Sequence, residues 1–131
     1  MIGTWWRHAA LAHSEVRADR LASDDLWWAW EAVDEVVDVG GVAAVDLVAA
    51  LVEGAPGENE DQEMAYLGAG PLENLLVEHG GDPEVFAAVM ERSRRSASFR
   101  LALECVWLEE AELPPATRSE WTRAGLRFAD G

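Results

Sequence analysis

Leu26-Trp27-Trp28-Ala29-Trp30-Glu31-Ala32-Val33-Asp34-Glu35-Val36-Val37-Asp38, followed by Gly40-Gly41, is the stretch on which the fold turns. On an α-helical wheel Leu26, Trp30, Val33 and Val37 share one side, widened by Ala29 and Val36. Glu31, Asp34, Glu35 and Asp38 gather on the other. Apolar residues recurring at three and four positions mark an amphipathic helix. Ser23 is placed to cap it, with Asp24 and Asp25 in a first turn whose dipole favours acids. The glycine pair stops it after about Val37. Trp27 breaks the pattern, because it falls within the acidic sector, four residues before Glu31 and seven before Asp34. Trp28 lies at the far border of that sector, beside Ala32 and Glu35. A core-facing stripe explains Trp30 and leaves Trp27 unexplained. Trp27 is either a contact anchor ringed by carboxylates or, the commoner case for tryptophan, covered by another helix such as one carrying Trp5 and Trp6.

The same period extends in both directions. A first helix is expected over about Thr4 to Arg20 and a third over Val42 to Glu53. Gly54-Ala55-Pro56-Gly57 then breaks the chain. Glu58 to Leu67 begins as an acidic linker and becomes a fourth helix. Gly70-Pro71-Leu72-Glu73 reads as the start of a fifth, with Pro71 at its first position and a left-handed stop at Gly80 after His79. Asp82-Pro83-Glu84 opens the next, which carries Phe86, Val89, Met90 and Ser93 on one face. Ser96 or Ser98 caps a helix containing Phe99, Leu103, Val106 and Trp107, ended by Pro114-Pro115. Thr117 with Glu120 has the form of a capping box for a last short helix holding Trp121. No segment alternates as a strand would. The expectation is one all-α domain over residues 1–131, with about seven short antiparallel-packed helices. A compact bundle and a short stack of helical pairs both satisfy it, since no repeat of fixed period is present.

Charge is segregated along the chain. Between Leu21 and Glu91 there is no lysine or arginine, and that stretch holds seventeen Asp and Glu. All ten basic residues are arginine and lie outside it, and the net charge is −15. Half of the residues are apolar, enough for a core. So negative a body repels phosphate backbones and anionic membranes and attracts basic partners or cations. The lone Cys105 excludes an internal disulfide and fits a reducing cytosol. No signal-peptide pattern follows Arg7 and His8, and the longest apolar run, Val42 to Val52, is too short to span a bilayer. The expected location is the cytoplasm. Arginine without lysine, with much Ala, Gly and Val, has the look of a GC-rich bacterial genome.

Site chemistry is sparse. His8 and His13 stand five apart, out of register for a zinc pair on a helix face, and no CxxC, HExxH or calcium-loop spacing occurs. No metal and no cofactor is expected. Cys105 reads as a core thiol. Gly68-Ala69-Gly70 lacks the third glycine and the Lys-Ser/Thr of a phosphate loop, and Glu73 occupies the place of an anion; a tight helix-to-helix turn fits better. Glu58, Glu60, Asp61 and Glu63 read as a solvated run. Asp46 is the one acid isolated in an apolar segment, and it faces solvent on the wheel. Arg92, Arg94, Arg95 and Arg100 form the single basic cluster, suited to pairing with the acidic middle of the same chain.

Leu67-Gly68-Ala69-Gly70-Pro71-Leu72-Glu73-Asn74-Leu75-Leu76, with His79-Gly80 and later Phe99 to Leu103 and Val106-Trp107, resembles a family of small uncharacterised bacterial proteins. Its mark is a Gly-Ala-Gly-Pro-Leu-Glu signature. The resemblance covers roughly the middle and C-terminal two thirds of the chain and implies a small all-helical domain. It carries over no reaction and no catalytic residue.

The residues point to a non-enzymatic acidic protein that sequesters or inhibits a basic protein partner, as an immunity protein neutralises a toxin. The partner-binding residues are Trp27, Glu31, Asp34, Glu35 and Asp38, and no catalytic residue is assigned. Two alternatives stand beside this reading. One is a nucleic-acid mimic, whose carboxylates replace phosphates on a DNA- or RNA-binding protein. The other is a small enzyme or ligand-binding protein with an interhelical pocket lined by tryptophan and by His79 or Cys105.

Overall fold

The computed structural model describes residues 1–12 and 27–130, and every regular element among these is a helix. In chain order they are α1 (Ile2–Ala12), α2 (Trp27–Val39), α3 (Gly41–Glu53), α4 (Glu60–Leu67), α5 (Glu73–His79), α6 (Pro83–Arg95), α7 (Ala97–Glu104) and α8 (Pro115–Arg123). A kinked turn, Gly68–Leu72, joins α4 to α5. The expected cap at Ser23-Asp24-Asp25 and the second half of the first expected helix lie outside the described residues.

The caps follow local chemistry. Asn59 accepts from the Gln62 amide, and Glu63 reaches back to the Asn59 and Gly57 amides at 3.3 and 2.9 Å. Glu63, one residue beyond the usual capping-box position, therefore closes the start of α4 by accepting from amides ahead of it and is not merely a solvated charge. Asp82 accepts from the Glu84 amide at 3.0 Å, with Pro83 at the first helical position of α6. Ser96, rather than Ser98, caps α7 through the Phe99 amide, while Ser98 donates to Glu60 on α4.

Four boundary readings are corrected. α5 does not start afresh at Pro71: the backbone passes from α4 through Gly70 at φ −109°, ψ −106°, and bends without a loop. Gly80 is right-handed, at φ −63°, ψ −17°. Glycine is needed there for space, because a Cβ would lie 2.3 Å from the Leu76 carbonyl and 2.9 Å from Leu113. α7 stops at Glu104, so Val106 and Trp107 lie beyond it; the Trp107 amide donates to Glu73 Oε1 at 2.6 Å, a bond to α5 that helical backbone would not leave free. α8 opens at Pro115 with extended Pro114 before it, and the Thr117 hydroxyl donates to the Pro114 carbonyl instead of capping.

α3 is the centre of the molecule. It is apolar almost all round, and it buries Ala44, Val45, Val48, Ala49, Leu51 and Val52. α2, α4, α5, α6 and α7 all pack on it. One helix touching five others is a bundle around a core, whereas in a stack of pairs each unit meets only its neighbours. α1 lies against α2 and is tied to α3 by Trp6, whose Nε1 donates to the Leu51 carbonyl at 2.8 Å. Trp5, Trp6 and Trp121 are all buried. Phe86, Val89, Met90 and Ser93 are buried on α6, as their shared face requires. Gly68 lets the kinked rod press on α7, since a Cβ there would lie 2.1 Å from the Ala102 carbonyl. Its role is close approach between helices rather than turning the chain.

Candidate functional site

α2 presents two faces with different tasks. Ala29, Val33 and Val37 are buried against the core and Trp30 and Val36 are half-buried, so the apolar stripe is where helical periodicity places it. Glu31, Glu35 and Asp38 are exposed, and Asp34 is half-buried at the border of the stripe. The side chain of Trp27 lies outside the described residues. Among the described residues, Trp28 stands at the border of the acids and is 55% exposed. On the helix it is flanked by Glu31 and Glu35 at three and seven residues and continues into exposed Val39.

Among the described residues, the ion pairs of the arginines lie away from Asp34, Glu35 and Asp38. Arg92 crosses to Asp46 on α3 at 2.9 Å. The other bridges are local: Arg94 and Arg95 to Glu91, and Arg100 to Glu104. Among the described residues no arginine bridges Asp34, Glu35 or Asp38. The expected pairing of the basic cluster with the acidic middle thus reduces to Asp46 and Glu91.

The end of α2 is fastened to α5. Gly40 holds φ +78°, and the His79 ring lies against it, 2.7 Å from where a Cβ would be. His79 Nε2–H donates to the Asp38 carbonyl at 2.7 Å, satisfying a group that the helix end leaves open. This contact brings Glu78 up to Asp34 and Asp38. Partial desolvation raises the Glu78 carboxyl above its usual range, as do the charge of Asp38 and a hydrogen bond with it; His79 opposes them and Asp34 adds a smaller push in the same direction. Desolvation, then Asp38, also raises Asp34.

Both groups bind protons more tightly folded than unfolded, so they favour the folded state as pH falls. Stability should therefore rise as the solution is acidified from neutral towards the windows above 3.8 for Asp34 and 4.5 for Glu78. Asp38→Asn, which removes a like charge four residues from Asp34, should stabilise the neutral protein by about 0.2–0.5 kcal/mol. That gain should shrink in mild acid. Urea unfolding of both proteins at the two pH values checks it, and an equal gain at both would contradict it.

Behind the acidic face lies a cleft of ≈450 Å³. Its walls are Trp5 of α1, Trp30 and Val37 of α2, Tyr66 of α4 and Pro71 of the kink, with Asp34 and Asn74 as its polar groups. Trp5 and Tyr66 meet edge-on, with ring centres 5.6 Å apart. The bend at Gly70 shapes one side of the cleft, so Ala69, Gly70 and Pro71 of the signature line it while Gly68 packs on α7. His79 and Cys105 do not line it. Cys105 is only half-buried, just past the end of α7, and not the fully buried core thiol expected. Desolvation, then Glu104 and Asp61, raises its thiol, which keeps it from acting as a ready thiolate. The sequence offered an interhelical pocket lined by tryptophan but could not give this cleft's other walls, because they come from separate segments. One signal was present: Asp34 adjoins Trp30 on the wheel, an acid bordering an aromatic.

Among the described residues no group of three or more His, Cys, Asp or Glu is placed to hold a metal ion, and no helix is long and apolar enough to cross a membrane. Residues 16–124 match the Family of unknown function (DUF6869). The chain belongs to that family. The match takes in α2 with its acidic face, the kinked Gly68–Leu72 turn and all of α8, so the elements that build the cleft, α1 apart, fall within the family's domain. No curated protein and no solved structure matches the chain.

Proposed function

We propose that this member of the family is a non-enzymatic binding protein that captures a basic protein partner on the outer face of α2. Inhibition of such a partner, as an immunity protein neutralises a toxin, is the role this surface suits. The observation that carries the reading is Trp28, more than half exposed and flanked by Glu31 and Glu35. A large exposed aromatic is costly to leave in water and is a common energetic centre of interfaces. Carboxylates around it would speed the arrival of a cationic surface and orient it.

A short arginine-rich peptide, titrated calorimetrically at low and at physiological salt, tests this. Binding should weaken at least tenfold as salt rises, and Trp28→Ala should weaken it by at least a further tenfold, about 1.4 kcal/mol. The double variant Glu35→Gln/Asp38→Asn should lose more affinity than Glu58→Gln/Glu84→Gln, which has the same net charge but alters acids outside α2. Equal losses for the two would reduce the interaction to net charge and sink the proposed face. The nucleic-acid-mimic reading predicts that Trp28→Ala changes little, so one variant separates the two.

A further inference from the structure

We propose that the cleft behind α2 receives a single guanidinium group, the side chain of an arginine carried by the basic partner; this rests on the reading of α2 as the capture face. Three aromatic residues, Trp5, Trp30 and Tyr66, line one space with a single carboxylate, Asp34. The face of an indole or phenol ring attracts a cation, and the attraction grows where water is thinned out. Arginine suits such a site better than lysine. Its planar, weakly hydrated guanidinium can lie on a ring face and still direct paired N–H groups at a carboxylate. Asp34 stands where the cleft meets the acidic face, so a guanidinium inside it adjoins the field that recruits the partner.

Two further observations point to a ligand. Trp5 is 1% exposed and lines the cleft, yet among the described residues its Nε1–H has no hydrogen-bond partner. A buried donor without an acceptor costs roughly 1–3 kcal/mol. Desolvation of Asp34 also works against its negative charge, a cost that an entering cation relieves. The volume of ≈450 Å³ is in the range of small-ligand pockets and larger than one side chain requires, which leaves room for adjoining peptide.

The test uses the whole chain with N-acetyl-arginine methylamide as the probe, its lysine counterpart as a control, and ¹⁵N-labelled protein. The arginine probe should shift the indole N–H resonances of Trp5 and Trp30 saturably, with the lysine probe at least threefold weaker. Asp34→Asn, an isosteric change, should weaken arginine binding at least tenfold; Trp30→Leu, accepted only if its melting temperature shows it folded, should do the same. Suppose instead that the arginine-rich peptide binds in a salt- and Trp28-dependent way, while Asp34→Asn is silent and the Trp5 and Trp30 resonances stay still. The cleft assignment is then wrong and the capture face survives. If no basic probe binds even at low salt, both fall.

Discussion

Gly68→Ala should destabilise the protein by about 3 kcal/mol or more, lowering its melting temperature by roughly 10 °C. The added Cβ would sit 2.1 Å from the Ala102 carbonyl oxygen and 2.9 Å from the Cys105 Cβ. The first of these is backbone in the middle of α7, so no side-chain rotation can relieve the overlap. Either the kinked rod or α7 must move, and both pack on α3. A densely packed core resists such shifts. The control is Gly3→Ala in α1, where a Cβ meets nothing within 4 Å. There the usual helical preference for alanine should win, and stability should rise by about 0.5–1 kcal/mol. Differential scanning calorimetry of both variants reads the contrast. A mild effect at Gly68 would mean that α4 and α7 are not in the close contact described.

Gly40→Ala should cost about 2–3 kcal/mol, from two sources acting together. A residue with a side chain at φ +78°, ψ −149°, a region essentially reserved for glycine, is disfavoured by at least about 1 kcal/mol, and the new methyl would lie 2.7 Å from the His79 ring. Displacing that ring breaks its bond to the Asp38 carbonyl, worth about 1 kcal/mol net. His79→Ala should lose only the second part, about 1 kcal/mol, because the glycine conformation is untouched. The pair also has a functional reading. His79 holds the acidic end of α2 against α5, so displacing its ring with Gly40→Ala should loosen Glu78 from Asp38 and diminish the stabilisation in acid described above. Urea unfolding with pH variation measures both effects. Equal losses in the two variants would show that backbone strain at Gly40 contributes nothing.

The signature Gly68-Ala69-Gly70-Pro71-Leu72-Glu73 gains a physical account residue by residue. Gly68 admits α7, Ala69, Gly70 and Pro71 line the cleft, and Leu72 is buried. Glu73 takes the Trp107 amide and so fixes the segment that leads to the exposed Trp107. Every one of these roles depends on a partner at least 30 residues away or on a cleft shared with other helices. That is why the sequence suggested a tight turn where the structure has a pressed and bent rod.

Helix class, the stop at Gly40-Gly41, the cap at Asp82, and the buried stripe of α2 could be read from the chain alone, whereas Ser96 and Ser98 stood as equal candidates to cap α7 until the structure chose Ser96. Each depends on atoms within a few residues of one another, where the 3.6 period and the capping rules apply directly. Charge segregation was equally plain, being a count along the chain. What the sequence could not supply was everything set by packing at long range. It placed Trp28 at the border of the acidic sector but could not tell how exposed it would be, because a wheel gives directions and not which neighbouring helix covers them. It could not assemble Trp5, Trp30, Asp34 and Tyr66 into one cleft, nor show that Arg92 would cross to Asp46 in the acidic middle. Those outcomes follow from how helices stack around α3, a property of three-dimensional contacts that no local pattern encodes.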